Sequence, residues 1–168
     1  MEMILDSIDN INEWIGKICS WSVIVILILV VLEVIKRKIF NAPSLWNLDV
    51  TTHLYGFHFM IVTAYTLKHD RHVKIDVFSN KFSEKTRTII DIISFLLFFF
   101  PFCFVLLWEG IKFASKSWVM LETGWGAFHM PLYPLKTVIP LAAFLLILQG
   151  FVIFTRKLQY LIKGDRHV

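Results

Sequence analysis

Residues 15–35 read IGKICSWSVIVILILVVLEVI, and from Val23 to Leu32 every residue is aliphatic. Such a run cannot remain in water. It can cross a bilayer as a helix, because a helix satisfies its own backbone hydrogen bonds where no water can do so. About 20 mostly apolar residues suffice for one crossing. This stretch therefore predicts a first transmembrane helix over 15–35.

Three further stretches read the same way. They lie at about 49–67, 89–112 and 135–154. The third has its apolar heart at Ile89–Leu107 and a helical continuation toward Trp118. Apolar residues make up 57% of the 168, and charged residues 18%. The expected fold is all-α: an integral membrane protein of four transmembrane helices, forming one domain over 1–168.

The residues ahead of the first span carry their own pattern. Met3, Ile4, Ile8, Ile11 and Ile15 fall at helical spacing, with Asp6, Asp9, Asn10 and Glu13 between them. This predicts a short amphipathic helix on the membrane surface. Residues 1–14 hold four acids and no basic residue, unlike the positively charged start of a cleavable signal peptide.

Orientation follows from Lys and Arg. Eleven fall on the side of the N-terminus, the loop between the second and third spans, and the C-terminus; six fall on the other side. The expectation is N-in and C-in. Lys36-Arg37-Lys38 runs against the rule. Trp14, Trp21, Trp46, Trp118, Trp125 and Tyr133 flank the spans, as interfacial anchors do.

Local signals refine the third and fourth spans. Ser83 is placed to cap the third, with Glu84 in its first turn. Pro101 removes one backbone hydrogen bond and predicts a kink. In the fourth, Pro140, Ala143 and Gly150 share a helix face with Gln149 nearby, a pattern for close packing and an interhelical hydrogen bond.

The second span is the most polar. Asp49, Thr52, His53, Gly56, Met60 and Thr63 form one stripe, which should face protein or water. His53 and His58 are five apart, so they do not share a face. The other three spans offer no histidine near mid-membrane, which argues against bis-histidine haem ligation. Glu33 precedes Lys36 and Arg37 by three and four residues, which predicts local ion pairing rather than a proton-coupled export site. Cys19 and Cys103 lie in apolar runs without metal or redox spacing. No nucleophile–base pair, carboxylate pair or glycine-rich phosphate loop appears, so no enzyme chemistry, cofactor or metal is expected. No basic patch suggests nucleic acid.

The order of features from 33 to 76 is more specific. Glu33, Arg37, Phe40-Asn41, Pro43, Trp46 and Asp49 lead into the polar-striped helix, followed by His72-Val73-Lys74-Ile75-Asp76. Near the end come His129-Met130-Pro131-Leu132-Tyr133-Pro134-Leu135-Lys136, Ile139-Pro140 and Leu148-Gln149-Gly150. This order resembles the small membrane subunit (DctQ-like) of tripartite ATP-independent periplasmic (TRAP) transporters. Asp49 stands where Glu is commoner, Lys38 where an aromatic often follows, and Thr63 near a usual Gly.

The resemblance implies a scaffold role. A large membrane subunit would form an obligate heterodimer with this chain and hold the substrate and sodium sites. A periplasmic substrate-binding protein would deliver an organic acid, such as a carboxylate or sulfonate. The location would be the cytoplasmic (inner) membrane of a bacterium or archaeon. Arg37, Trp46, Asp49, Thr52, His53 and Gly56 are the expected partner-facing residues. His72 and Asp76 would shape the cytoplasmic loop. Lys36, Lys38, Lys112 and Lys116 would form a basic surface for the binding protein. The alternatives are a membrane anchor of a redox complex and a stand-alone exporter working through Glu33.

Overall fold

In the computed structural model, residues 2–69, 83–126 and 128–163 are described. The elements in chain order are α1 (Glu2–Ser20), α2 (Ser22–Ile39), α3 (Asn47–Lys68), α4 (Glu84–Ser94), a π-helical turn (Phe95–Phe99), α5 (Phe100–Met120) and α6 (Tyr133–Lys163). Among the described residues no β-strand forms; Thr123 and Pro131 make one isolated antiparallel bridge.

Among the described residues, three helical stretches are long and apolar enough to cross a membrane: Leu5–Ile39, Lys85–Met120 and Tyr133–Ile162. Where the second span was expected there is a helix, α3, of 22 residues, which is not among these three stretches. Its threonines, histidines and asparagine leave it less apolar than the other three.

The first stretch differs from expectation. The predicted surface helix and first span form one rod, interrupted only at Trp21. There the amides tighten to three-residue closure, with Trp21 N donating to Ile18 O and Ile24 N to Trp21 O, both at 3.1 Å. The amphipathic part does not stand apart from the bundle. Leu5, Asp9 and Asn12 are buried, while Met3, Ile11, Trp14 and Ile18 are exposed. Its polar face is turned toward protein and its apolar face away, the reverse of a helix in a water-soluble protein. Gly16 allows this: a Cβ there would come within 2.3 Å of the Tyr65 ring.

Pro101 is accommodated just upstream of itself. The helix widens to a π-turn, with Phe100 N donating to Phe95 O. A π-bulge relieves the ladder where proline cannot donate. Phe99 of this turn packs onto Gly150, where a Cβ would lie 2.2 Å from its ring. Ser83 caps α4 as expected, accepting from Thr86 N.

The core lies where α3, α5 and α6 meet: Ile61, Ala64, Leu67, Cys103, Val138, Leu145 and Leu146. Ala143 and Gln149 on α6 are also buried, as the close-packing pattern predicted. α2 buries no residue.

Both described ends lie together. Gln159 donates to Glu2 at 3.1 Å, and Arg156 pairs with Asp6 at 3.1 Å and Asp9 at 2.5 Å. We call this the terminal end. The opposite end carries the α2–α3 turn and the α5–α6 hairpin.

Candidate functional site: the hairpin end of α3

The α2–α3 turn is built by backbone chemistry. Asn41 takes a left-handed conformation, φ 49°, which asparagine tolerates better than most residues. Glu33 then accepts from Ser44 N at 3.1 Å and pairs with Arg37 at 3.5 Å. Lys36 donates to Ser44 Oγ at 2.7 Å. Buried Asn47 donates to Leu29 O at 3.0 Å, fastening the start of α3 to α2. Glu33 is thus a turn-fixing carboxylate; of the ion pairs its spacing predicted, that with Arg37 forms, while Lys36 reaches Ser44 instead. Arg37 pairs with Glu33 rather than Asp49, and Arg37 and Trp46 are exposed.

The α3 stripe divides. Asp49, His53 and Gly56 face the hairpin and α6 of the same chain. The Asp49 carboxylate accepts from Phe128 N at 3.4 Å and lies against Gly126. His53 has Nδ1 2.7 Å from Asp49 O and Nε2 3.3 Å from Pro131 O. Gly56 lies beneath Leu135. Thr52 is exposed, and its hydroxyl donates to Leu48 O within its own helix.

The hairpin connects α5 to α6. Gly124 N donates to Met130 O at 2.8 Å and Leu132 N to Glu122 O at 2.9 Å. Leu121 and His129 turn the chain with φ of 46° and 48°. Glu122 anchors it, accepting from Ser117 at 2.9 Å and Lys136 at 2.5 Å. The Lys136 ammonium, then the Ser117 hydroxyl, hold the Glu122 carboxyl below its ordinary value of 4.5. Trp118 donates to Thr137 and packs on Tyr133, ring centroids 4.5 Å apart. Trp125 at the tip is fully exposed.

Between α3 and α6 at this end is an open groove of about 410 Å³, lined by Val50, His53, Leu54, Phe57, Met130, Pro134, Leu135 and Val138. His53 is the single polar side chain among them.

At the terminal end, polar groups bind helices to one another. Asn12 donates to Gln149 at 2.6 Å, and Gln149 donates to Asp9 at 2.8 Å. Glu13 pairs with Lys17, Lys68 and His69. Lys157 pairs with Asp91. His58 points to the α1–α2 joint, with Nδ1 2.8 Å from Ser22 Oγ and 3.0 Å from Cys19 O.

The expected basic surface is dispersed. Lys36 serves the α2–α3 turn, and Lys112 pairs with Glu109 at 2.8 Å over the Trp108 ring. Lys38 and Lys116 are exposed on different helices. His72 and Asp76 lie outside the described residues. Ser44, Asn47 and Glu122 were not singled out from sequence. Polar residues beside helix ends were the available signal, but it does not reveal partners distant in the chain. Among the described residues, no three His, Cys, Asp or Glu side chains cluster to hold a metal.

Two comparisons bear on identity. The chain is 25% identical over 96 residues to the sialic acid TRAP transporter permease protein SiaT of Haemophilus influenzae (strain 86-028NP). That match covers 55% of this chain but only 15% of the permease. Residues 26–159 match the sequence model of the DctQ component of tripartite ATP-independent periplasmic transporters. The match spans all three connections between α2 and α6, including the Glu33–Ser44 turn and the Glu122 hairpin. The chain belongs to the DctQ family, the small membrane component of TRAP transporters.

Proposed function

We propose that this chain is the small scaffold subunit of a sodium-driven importer of an organic acid. It works with a large membrane subunit and a periplasmic substrate-binding protein. Family membership carries the reading. The internal chemistry supports it: the charged groups of the bundle mostly join one helix to the next, as suits a brace. Glu33 is held by Ser44 N and Arg37, which does not favour an exporter working through it.

In this reading α3 crosses the membrane beside the three more apolar stretches, and the terminal end faces the cytoplasm. The excess of Lys and Arg on that side supports the orientation. Thr52, Arg37 and Trp46, exposed beside the α2–α3 turn, are the part of the expected interface open to a large subunit. Asp49, His53 and Gly56 act through the hairpin they support. Lys38 and Lys116 remain the basic groups for an acidic binding protein, an attraction that salt would weaken. The similarity to a sialic acid permease puts carboxylated sugars among the first substrates to try. Sodium and substrate sites belong to the large subunit.

The test is affinity capture of the tagged full chain from its native membrane in mild detergent. An equimolar, much larger multi-helix protein is expected. Recovery of the chain alone, carrying haem or transporting a cation by itself, would overturn the proposal.

A further inference from the structure

We infer that the groove between α3 and α6 holds one acyl chain of a phospholipid, with Asp49 at its rim favouring an amine-bearing head group. The inference rests on the membrane-crossing reading of α3.

The path of the first rod accounts for the groove. Toward the terminal end, α1 contacts both neighbours: Gly16 meets Tyr65 of α3, and Asn12 bonds Gln149 of α6. Beyond Trp21 the rod stays on α3, through Ser22–His58 and Leu29–Asn47. No α2 residue lines the groove, whose sides come from α3, α6 and the hairpin.

Length and chemistry select the occupant. Val50 to Phe57 covers roughly 10 Å of helix, against roughly 15 Å for one leaflet of hydrocarbon. That suits an acyl chain entering from one interface and is short for a partner helix crossing the whole bilayer. At its inner end the groove gives way to the core, where Ile61 of α3 and Val138 of α6 are buried. The lining is aliphatic and aromatic apart from His53, so it offers little to orient a polar ligand. A lipid tail is as apolar as leucine and fills such a space without a desolvation cost.

The rim supplies the head-group argument. Asp49 lies one helical turn before His53, and among the described residues its carboxylate accepts one long hydrogen bond, from Phe128 N. The nearby Lys136 is engaged by Glu122. The local charge left at the rim is therefore negative and complements an ammonium, as in phosphatidylethanolamine.

The test uses the full chain in vesicles, with phosphatidylethanolamine or phosphatidylglycerol carrying the same diazirine-labelled acyl chain. After irradiation, cross-linked peptides are mapped by mass spectrometry. Cross-links are expected on 50–57 and 134–138, stronger with phosphatidylethanolamine. Val50→Trp should reduce them about tenfold, a 1.4 kcal/mol loss, and Asp49→Asn should abolish the head-group preference. Leu54→Phe serves as the filling variant if Val50→Trp fails to fold. Cross-links scattered evenly over lipid-facing positions such as Val25 and Phe98, or unchanged by filling, would overturn the inference. Equal labelling by both lipids would remove the head-group part. Resistance to alkaline carbonate extraction separately tests membrane integration.

Discussion

Asn12 and Gln149 meet at 2.6 Å with both side chains almost wholly buried, 2% and 1% exposed. They join the start of the chain to its last helix. The pair is asymmetric. Gln149 donates onward to Asp9, whereas Asn12 Oδ1 has no partner among the described residues. Gln149→Leu strands a buried donor on Asn12 and removes a bond to Asp9, so it should cost about 1–2 kcal/mol. Asn12→Leu strands the Gln149 Oε1 acceptor but also removes the orphaned Asn12 Oδ1 and leaves the bond to Asp9 in place, so it should cost less. Unfolding of the purified variants in mixed detergent measures both. Equal costs would mean that the buried polar chain is not the origin of the effect.

Gly150 meets the ring of Phe99 on the π-turn ahead of Pro101. Gly150→Ala should destabilise by about 1–3 kcal/mol, because an inserted methyl must displace a packed aromatic ring. Phe99→Ala leaves a cavity and also destabilises. In combination the two changes should cost less than their sum, since the new methyl then has room. Strictly additive losses in a double-mutant cycle would show that the contact is not what makes this glycine necessary.

Much of the architecture was legible in advance. Apolar runs located the helices, and Ala143, Gln149 and Gly150 marked the packing face of α6. The continuity of α1 with α2 was not legible. Asp6, Asp9 and Glu13 look like a solvated face until Arg156 and Lys68 are brought beside them. The stripe of α3 was visible as a stripe, but not what it meets: the hairpin at Asp49 and His53, α6 at Gly56 and the core at Met60. Glu122 became important only through Lys136, placed opposite by the left-handed turns at Leu121 and His129. Helical periodicity reports a face; it does not report what the face meets.

His58 holds the joint at Trp21. Its Nδ1 lies within hydrogen-bonding distance of Cys19 O and Ser22 Oγ, where the rod changes from α1 to α2. His58→Leu should loosen this joint, while His58→Asn should retain part of the bonding. The half-buried Cys19 thiol beside it is a built-in reporter, and Cys103, buried in the core, is the control. Maleimide should label Cys19 faster in His58→Leu than in wild type, with His58→Asn intermediate and Cys103 unchanged in all three. Unchanged labelling of Cys19 would show that the joint does not depend on the imidazole.

The hairpin should be acid-sensitive through Glu122. Its carboxyl is held below the ordinary value of 4.5 in the folded chain by Lys136 and Ser117. A depressed folded value means that protons bind more tightly to the unfolded chain. The stabilisation is therefore present in full above the unfolded value and is lost as pH falls through the folded one. Wild type and Glu122→Gln should differ in Tm at pH 7, and the difference should narrow below pH 4.5, toward zero once Glu122 is protonated in both states. A difference that stayed constant down to pH 3 would assign the effect to geometry rather than charge. Loss of this anchor should also disturb the hairpin contacts that Phe128 and Pro131 make with Asp49 and His53. In Glu122→Gln, hydrogen exchange at the Phe128 amide should accelerate at neutral pH and approach the wild-type rate in acid.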